Sequence, residues 1–262
     1  MKRMMVQMPA RIPITAPDID TDFHAAYRGL EIRMKALAEA DGDVFLPVAE
    51  PEGPAHYVLI GMEPSLGWWA RSVDEARSKV EAGYRNFLFS VEDYILHFCI
   101  RCYLCRPEER YHITDLSKGA MLVDRAGLAR VERYDRWYGL LQEEIDLVAT
   151  PNAGIVAVGN VVARHLERRR FARPFTRVVH YSSQAGRARS AGIIGSEESF
   201  KGFIGSVSLN DLVATAGHVL GAARVSAEIR DETLSRLARS QLTTSRRELI
   251  FNYKLAFESM RA

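Results

Sequence analysis

Four short segments hold the side chains best suited to chemistry: Gly61-Met62-Glu63-Pro64-Ser65, Phe89-Ser90-Val91, Ile113-Thr114-Asp115 and His180-Tyr181-Ser182-Ser183. Each sits at or near the end of an apolar run, or just after one. A carboxylate can orient a water and stabilise a developing cation, and an aromatic face can stack on a planar group. An ionised carboxylate accepts hydrogen bonds, and a neutral imidazole can donate one to a developing anion. These capacities combine only if the four segments meet in one crevice. Taken singly, each has an ordinary explanation. Glu63 suits a turn before proline, Phe89 a core, Asp115 a helix N-cap and His180 the end of a strand.

The elements that would position them follow from periodicity. His24 to Ala40 repeats as a helix with Tyr27, Leu30, Met34 and Leu37 on one face, Asp22 as its N-cap, and a loose, proline-punctuated stretch over residues 1–22 before it. Pro47 to Pro54 reads as a loop. Strands are expected at His56–Gly61, Tyr111–Thr114, Gly154–Gly159 and Thr176–His180, each an apolar run bounded by turn residues. Helices are expected around Val73–Gly83, after Ser90 as far as Cys105, over Leu128–Ala149 and Asn160–Arg170, and beyond Leu209. Strands alternating with helices imply a mostly parallel sheet covered on both faces, with right-handed crossovers. Ligands of such sheets bind beyond the carboxyl ends of the strands, where the four segments lie.

The composition is that of an ordinary globular chain: 262 residues, 47% apolar, 26% charged, net charge +2. Its length suits a single domain over residues 1–262, with a helical C-terminal extension from about 209. No run approaches the roughly 18 apolar residues of a membrane span. The charged start Met1-Lys2-Arg3 is not followed by the apolar stretch of a signal peptide. The expectation is a cytoplasmic protein with no membrane contact, most simply a monomer. Arg164, Arg168, Arg169, Arg170, Arg173, Arg177, Arg187 and Arg189 crowd one stretch, either as a phosphate-binding surface or as a solvated helix face balanced by acids elsewhere.

In order and spacing, the four segments resemble the uracil-DNA glycosylase superfamily over about residues 56–190. The resemblance implies an α/β fold, a three-layer α/β/α sandwich with a central, mostly parallel four-stranded sheet. It also implies hydrolysis of a base–deoxyribose bond in double-stranded DNA, with no metal or other cofactor. On that likeness Glu63 stands where the family orients its water, and Met62 and Ser65 flank the base. Phe89 stands where an aromatic ring stacks on the flipped base, and His180 where an imidazole donates to the base O2. Ser182 and the nearby Arg187 and Arg189 would meet phosphates, and Gln184 would enter the duplex.

Two departures from the family pattern bear on substrate, and a third on the His180 loop. The base-reading position is Asp115 where the family usually has asparagine. An ionised carboxylate only accepts, which suits the exocyclic amine of cytosine better than uracil O4, and a protonated one could also donate to cytosine N3. Ser65 stands where the uracil-specific branch has a tyrosine against C5, leaving room for a C5 substituent. Together these favour a bulky C5-modified cytosine, such as the glucosylated hydroxymethylcytosine of phage DNA, as in the family's antiviral-defence branch. Tyr181 and Ser183 replace two prolines, which loosens the His180 loop and is the feature that best supports an inactive module. Trp68 and Trp69 could line a sugar-binding annex or anchor their loop. A uracil or damaged-base repair glycosylase, and an inactive nucleic-acid-binding module, remain open alternatives. Cys99, Cys102 and Cys105 resemble part of an iron–sulfur ligand set, but a fourth cysteine is lacking, and buried structural thiols are expected. Lys118 lies near the expected pocket, with nothing to mark it as a nucleophile.

Overall fold

The computed structural model of the protein describes residues 19–67, 69–122, 129–182 and 185–261. In chain order the elements are α1 (Ile19–Ala40), β1 (Val44–Phe45), β2 (Ala55–Gly61), α2 (Val73–Glu81), α3 (Val91–Cys99), which runs into a π-helical turn (Ile100–Leu104), β3 (Tyr111–Asp115), β4 (Gly119–Ala120), α4 (Arg130–Val148), β5 (Ala149–Val158), α5 (Asn160–Arg168), β6 (Phe175–Val178), α6 (Gly186–Ala191), α7 (Glu197–Phe203), α8 (Leu209–Ala222), α9 (Ala227–Ala238) and α10 (Thr244–Arg261).

Four strands form one all-parallel sheet in the order β3-β2-β5-β6. Successive side chains of a strand face opposite ways, and both faces here are buried. Leu59, Ile113, Val156, Val158 and Val178 pack into one cluster with α3, α7, α8 and α10. Val58, Ile60, Ile155 and Ala157 pack into another with Tyr27 of α1 and with α4 and α5. Helices therefore cover both faces, and the central strands read as nearly continuous apolar runs. β1 and β4 make a separate antiparallel pair, Val44 against Ala120 and Phe45 against Gly119.

Several boundaries differ from expectation. α1 begins at Ile19, so Asp22 lies inside its first turn, where a carboxylate suits the positive end of the helix without capping it. β5 starts five residues early, directly after α4. Ala149 pairs with Ala55 across a bulge that absorbs Pro151 before regular pairing resumes at Gly154–Tyr57. β6 ends at Val178, leaving His180 two residues beyond the strand. The helical C-terminal part is no appendage: Leu249, Ile250, Phe251, Tyr253 and Phe257 of α10 belong to the larger core cluster. Among the described residues, no helix is long and apolar enough to cross a membrane.

Candidate active site

Parallel pairing brings the ends of the strands to one edge. Gly61, the last residue of β2, pairs with Asp115, the last residue of β3. Glu63 follows two residues later. Gly159 follows β5, its N–H donating to the Val178 carbonyl at 2.9 Å, and His180 leaves β6 beside it. Glu63, Asp115 and His180 thus share the carboxyl edge of the sheet. Two glycines make the close approaches possible. A side-chain carbon on Gly61 would overlap Asp115 Oδ1 and lie 3.3 Å from Phe87 Cζ. One on Gly159, whose φ is 97°, would lie 3.1 Å from His180 Cβ and Cδ2.

The Glu63 side chain is 3% exposed and is gripped from α4. Arg130 donates to Oε1 through Nη2 at 2.7 Å and Nε at 3.1 Å, and the Tyr134 hydroxyl donates to Oε2. Burial raises the Glu63 carboxyl above its usual range, opposed by the Arg130 charge. Arg130 and Tyr134 are one helical turn apart, so they face the same way. Neither stood out in the sequence, where a spacing of four on a helix is shared by many pairs.

Asp115 is buried and accepts from Asn86 Nδ2 at 2.5 Å. Burial pushes its carboxyl well above the usual range. The nearby Lys118 charge opposes this, while Glu63, Glu144 and Asp93 add to it. The neutral acid is therefore favoured, and it both donates and accepts. Of the two protonation states open to Asp115, burial therefore favours the protonated one. A neutral acid can accept from the cytosine amine and donate to N3, but it can equally donate to uracil O4 and accept from N3–H. It does not serve as a helix cap, because Asp115 ends a strand.

His180 Nδ1 accepts from the Ser182 N–H at 3.0 Å, so the neutral ring carries its proton on Nε2. Burial, and next the charge of Arg189, depress its pKa to about 4. The ring stacks on Tyr181, with centroids 4.7 Å apart, and Tyr181 meets Phe87 edge-on at 6.2 Å.

Other expected participants lie elsewhere. Phe89 is buried in a three-ring cluster with Trp69, 5.2 Å away, and Tyr84, 4.9 Å away, as a core aromatic. The aromatic ring beside Asp115 is Phe87, which holds a strained left-handed conformation at φ 61°. Its neighbour Asn86 supplies the amide that the sequence seemed to lack at this point. Met62 packs against the cluster on the α4 face, and its carbonyl accepts from Ser117 at 3.3 Å. Ser65 bridges to Met121, and its carbonyl accepts from the buried Trp69 indole at 2.7 Å. Trp69 is therefore a loop anchor. Trp68 and Gln184 lie outside the described residues.

Arg189 is buried, so it is no surface phosphate contact. Arg187 is exposed, and the Ser182 carbonyl accepts from Arg189 at 2.6 Å. Much of the remaining arginine cluster is balanced by α4: Arg168 pairs with Asp135 at 2.7 Å, and Arg173 with Asp146 at 3.2 Å. Because α5 runs back toward the start of β6, Arg168 and Arg173 sit at the opposite edge of the sheet from His180. Lys118 is held in a buried network. Its ammonium pairs with Glu144 and donates to Thr114 Oγ1 at 2.5 Å, while Glu144 also bonds His112 Nε2 at 2.9 Å. Cys99 and Cys105 are buried with raised thiol pKa values, whereas Cys102 is exposed, contrary to the expectation of three buried thiols. Among the described residues, no group of three or more His, Cys, Asp or Glu could hold a metal.

No protein-family model, curated protein or solved structure matches the chain.

Proposed function

We propose that the protein is a monofunctional DNA glycosylase of the uracil-DNA glycosylase type. It would flip out a cytosine-type base, most simply one with a bulky C5 substituent, and hydrolyse its bond to deoxyribose. The observation that carries this reading is the shared placement of Glu63, Asp115 and His180 at one sheet edge, with His180 held neutral and protonated on Nε2.

The chemistry follows from charge. As the C1′–N bond lengthens, its electron pair moves to the base and positive charge grows on the sugar. Glu63, ionised and braced by Arg130, stabilises that cation and orients a water whose oxygen bonds to C1′. His180 Nε2–H donates to the base O2 as negative charge collects there. The proton lost by the water balances the departing base anion. Asp115 and Asn86 meet the Watson–Crick edge, and Tyr181, half-buried and stacked on His180, supplies the aromatic surface that offsets lost duplex stacking. The Lys118 amine, paired with Glu144, is not placed to act as a lyase nucleophile.

Two further readings each have an observation in their favour. The neutral Asp115 favours uracil as readily as cytosine. The double engagement of Glu63 by Arg130 and Tyr134 favours a binding module without turnover. A panel of duplexes containing uracil, cytosine, hydroxymethylcytosine or its glucosylated form, cleaved with alkali after incubation, separates the three. Scission at the modified cytosine alone supports the proposal. Scission at uracil alone supports repair, and retained binding with no scission supports the inactive module.

A further inference from the structure

The loop from His180 to Gly186 contains no proline, so no ring restrains its backbone. Side chains from two helices hold it instead. Arg189 of α6, 2% exposed, donates through Nη2 to the Tyr181 and Ser182 carbonyls and through Nη1 to Ser245 Oγ of α10 at 3.2 Å. The Arg189 carbonyl in turn accepts from Asn252 of α10 at 3.0 Å. The Tyr253 hydroxyl, also from α10, donates to the Val179 carbonyl at 3.0 Å. The carbonyls of residues 179, 181 and 182 are thus each engaged, and the Ser182 N–H within the same bend donates to His180 Nδ1.

We propose that Arg189 is a positioning residue. Its buried guanidinium, braced by α10, fixes the carbonyls on the C-terminal side of His180 and so sets the aim and tautomer of the imidazole. A buried cation normally needs a carboxylate, yet this fork is spent on backbone oxygens and a hydroxyl. The same charge beside the ring disfavours an imidazolium, which is consistent with the low His180 pKa. The other titratable groups here are Tyr253 of α10, which bonds the Val179 carbonyl, Asp93, Asp115 and Glu63, which act on Tyr181, and Glu92, Arg246 and Glu248, which act on Arg189. The inference rests on the proposed role of His180, but its test does not require turnover.

The test is the pH titration of the His180 ring by NMR in the full chain. In the wild type, the ring is expected to stay neutral with its proton on Nε2 down to about pH 4. In Arg189→Met, which keeps the stem but loses charge and fork, the midpoint is expected to rise by about half a unit or more toward the ordinary histidine value, and the tautomer preference to weaken. Arg189→Lys, which keeps the charge, is expected to retain the low midpoint. An unchanged midpoint and tautomer in folded Arg189→Met would overturn the proposal.

Should Arg189→Met fail to fold, Ser245→Ala leaves the charge in place and frees one arm of the fork. Faster amide exchange at Ser182 would then support the brace, and unchanged exchange would overturn it. If the variants shift His180 but the wild type cuts no duplex, Arg189 still positions His180 and the glycosylase reading fails. If the wild type cuts and the ring is unmoved, the positioning role fails alone.

Discussion

At the scale of single residues, the protonation of Asp115 decides most. Its carboxyl is held well above the usual range, mainly by burial. The folded state therefore binds a proton that the unfolded chain releases near pH 4. Stability from this group is present below that pH and falls as pH rises toward the raised folded pKa. Asp115→Asn is expected to flatten this part of the stability–pH curve, measured as Tm across pH 4 to 8, and an unchanged slope would contradict the account. In base release, the same variant should lose any decline that the wild type shows as Asp115 ionises. Glu63→Gln removes the charge beside the sugar while leaving the Arg130 and Tyr134 contacts possible. It is expected to slow single-turnover base release by about 10²–10⁴-fold with duplex binding retained. An unimpaired rate would move the catalytic role elsewhere.

At the scale of elements, the strand ends do the positioning. Gly61 admits Asp115 because it has no side chain, so Gly61→Ala should displace the carboxylate and Phe87 together. A loss of about 10²-fold in release is expected, with the fold retained by circular dichroism. Beneath β3, Lys118, Glu144, His112 and Thr114 form one buried polar network joining β3 to α4. Lys118→Met would leave the Glu144 carboxylate, held at about 2, without its cation. Destabilisation of about 3–5 kcal/mol in chemical denaturation is expected. The strands were legible in the sequence because an apolar run bounded by turns has few other readings, and their C-terminal ends marked Glu63, Asp115 and His180. Phe89 was misread because two phenylalanines stand two apart and both are buried, and periodicity could not say that Phe89 joins Trp69 and Tyr84 while Phe87 lies beside Gly61. Arg130, Tyr134 and Asn86 were missed because they reach the site from other segments, and such contacts leave no trace in local pattern.

At the scale of the whole molecule, one parallel sheet with both faces covered was expected and is found, all-parallel in the order β3-β2-β5-β6. Less legible was the part played by the C-terminal helices. A helix-rich tail reads as an extension, yet α10 fills the core and holds the His180 loop through Tyr253 and Ser245. A chain ending at residue 243 is expected to lose cooperative unfolding, since five fully or nearly fully buried side chains of α10 would be gone. The arginine clustering read from sequence separates in space. Much of it answers acids of α4 at the far edge of the sheet, and Arg189 turns inward.

The central claim is that Glu63 and His180 act together on one extruded base. Its most direct test is the count of abasic aldehydes formed on a duplex carrying glucosylated hydroxymethylcytosine, with enzyme in excess. The wild type should convert the duplex, and Glu63→Gln and His180→Ala should each fall by orders of magnitude while still binding it. No aldehyde from the wild type on this or any other modified or deaminated cytosine, despite tight duplex binding, would contradict the account.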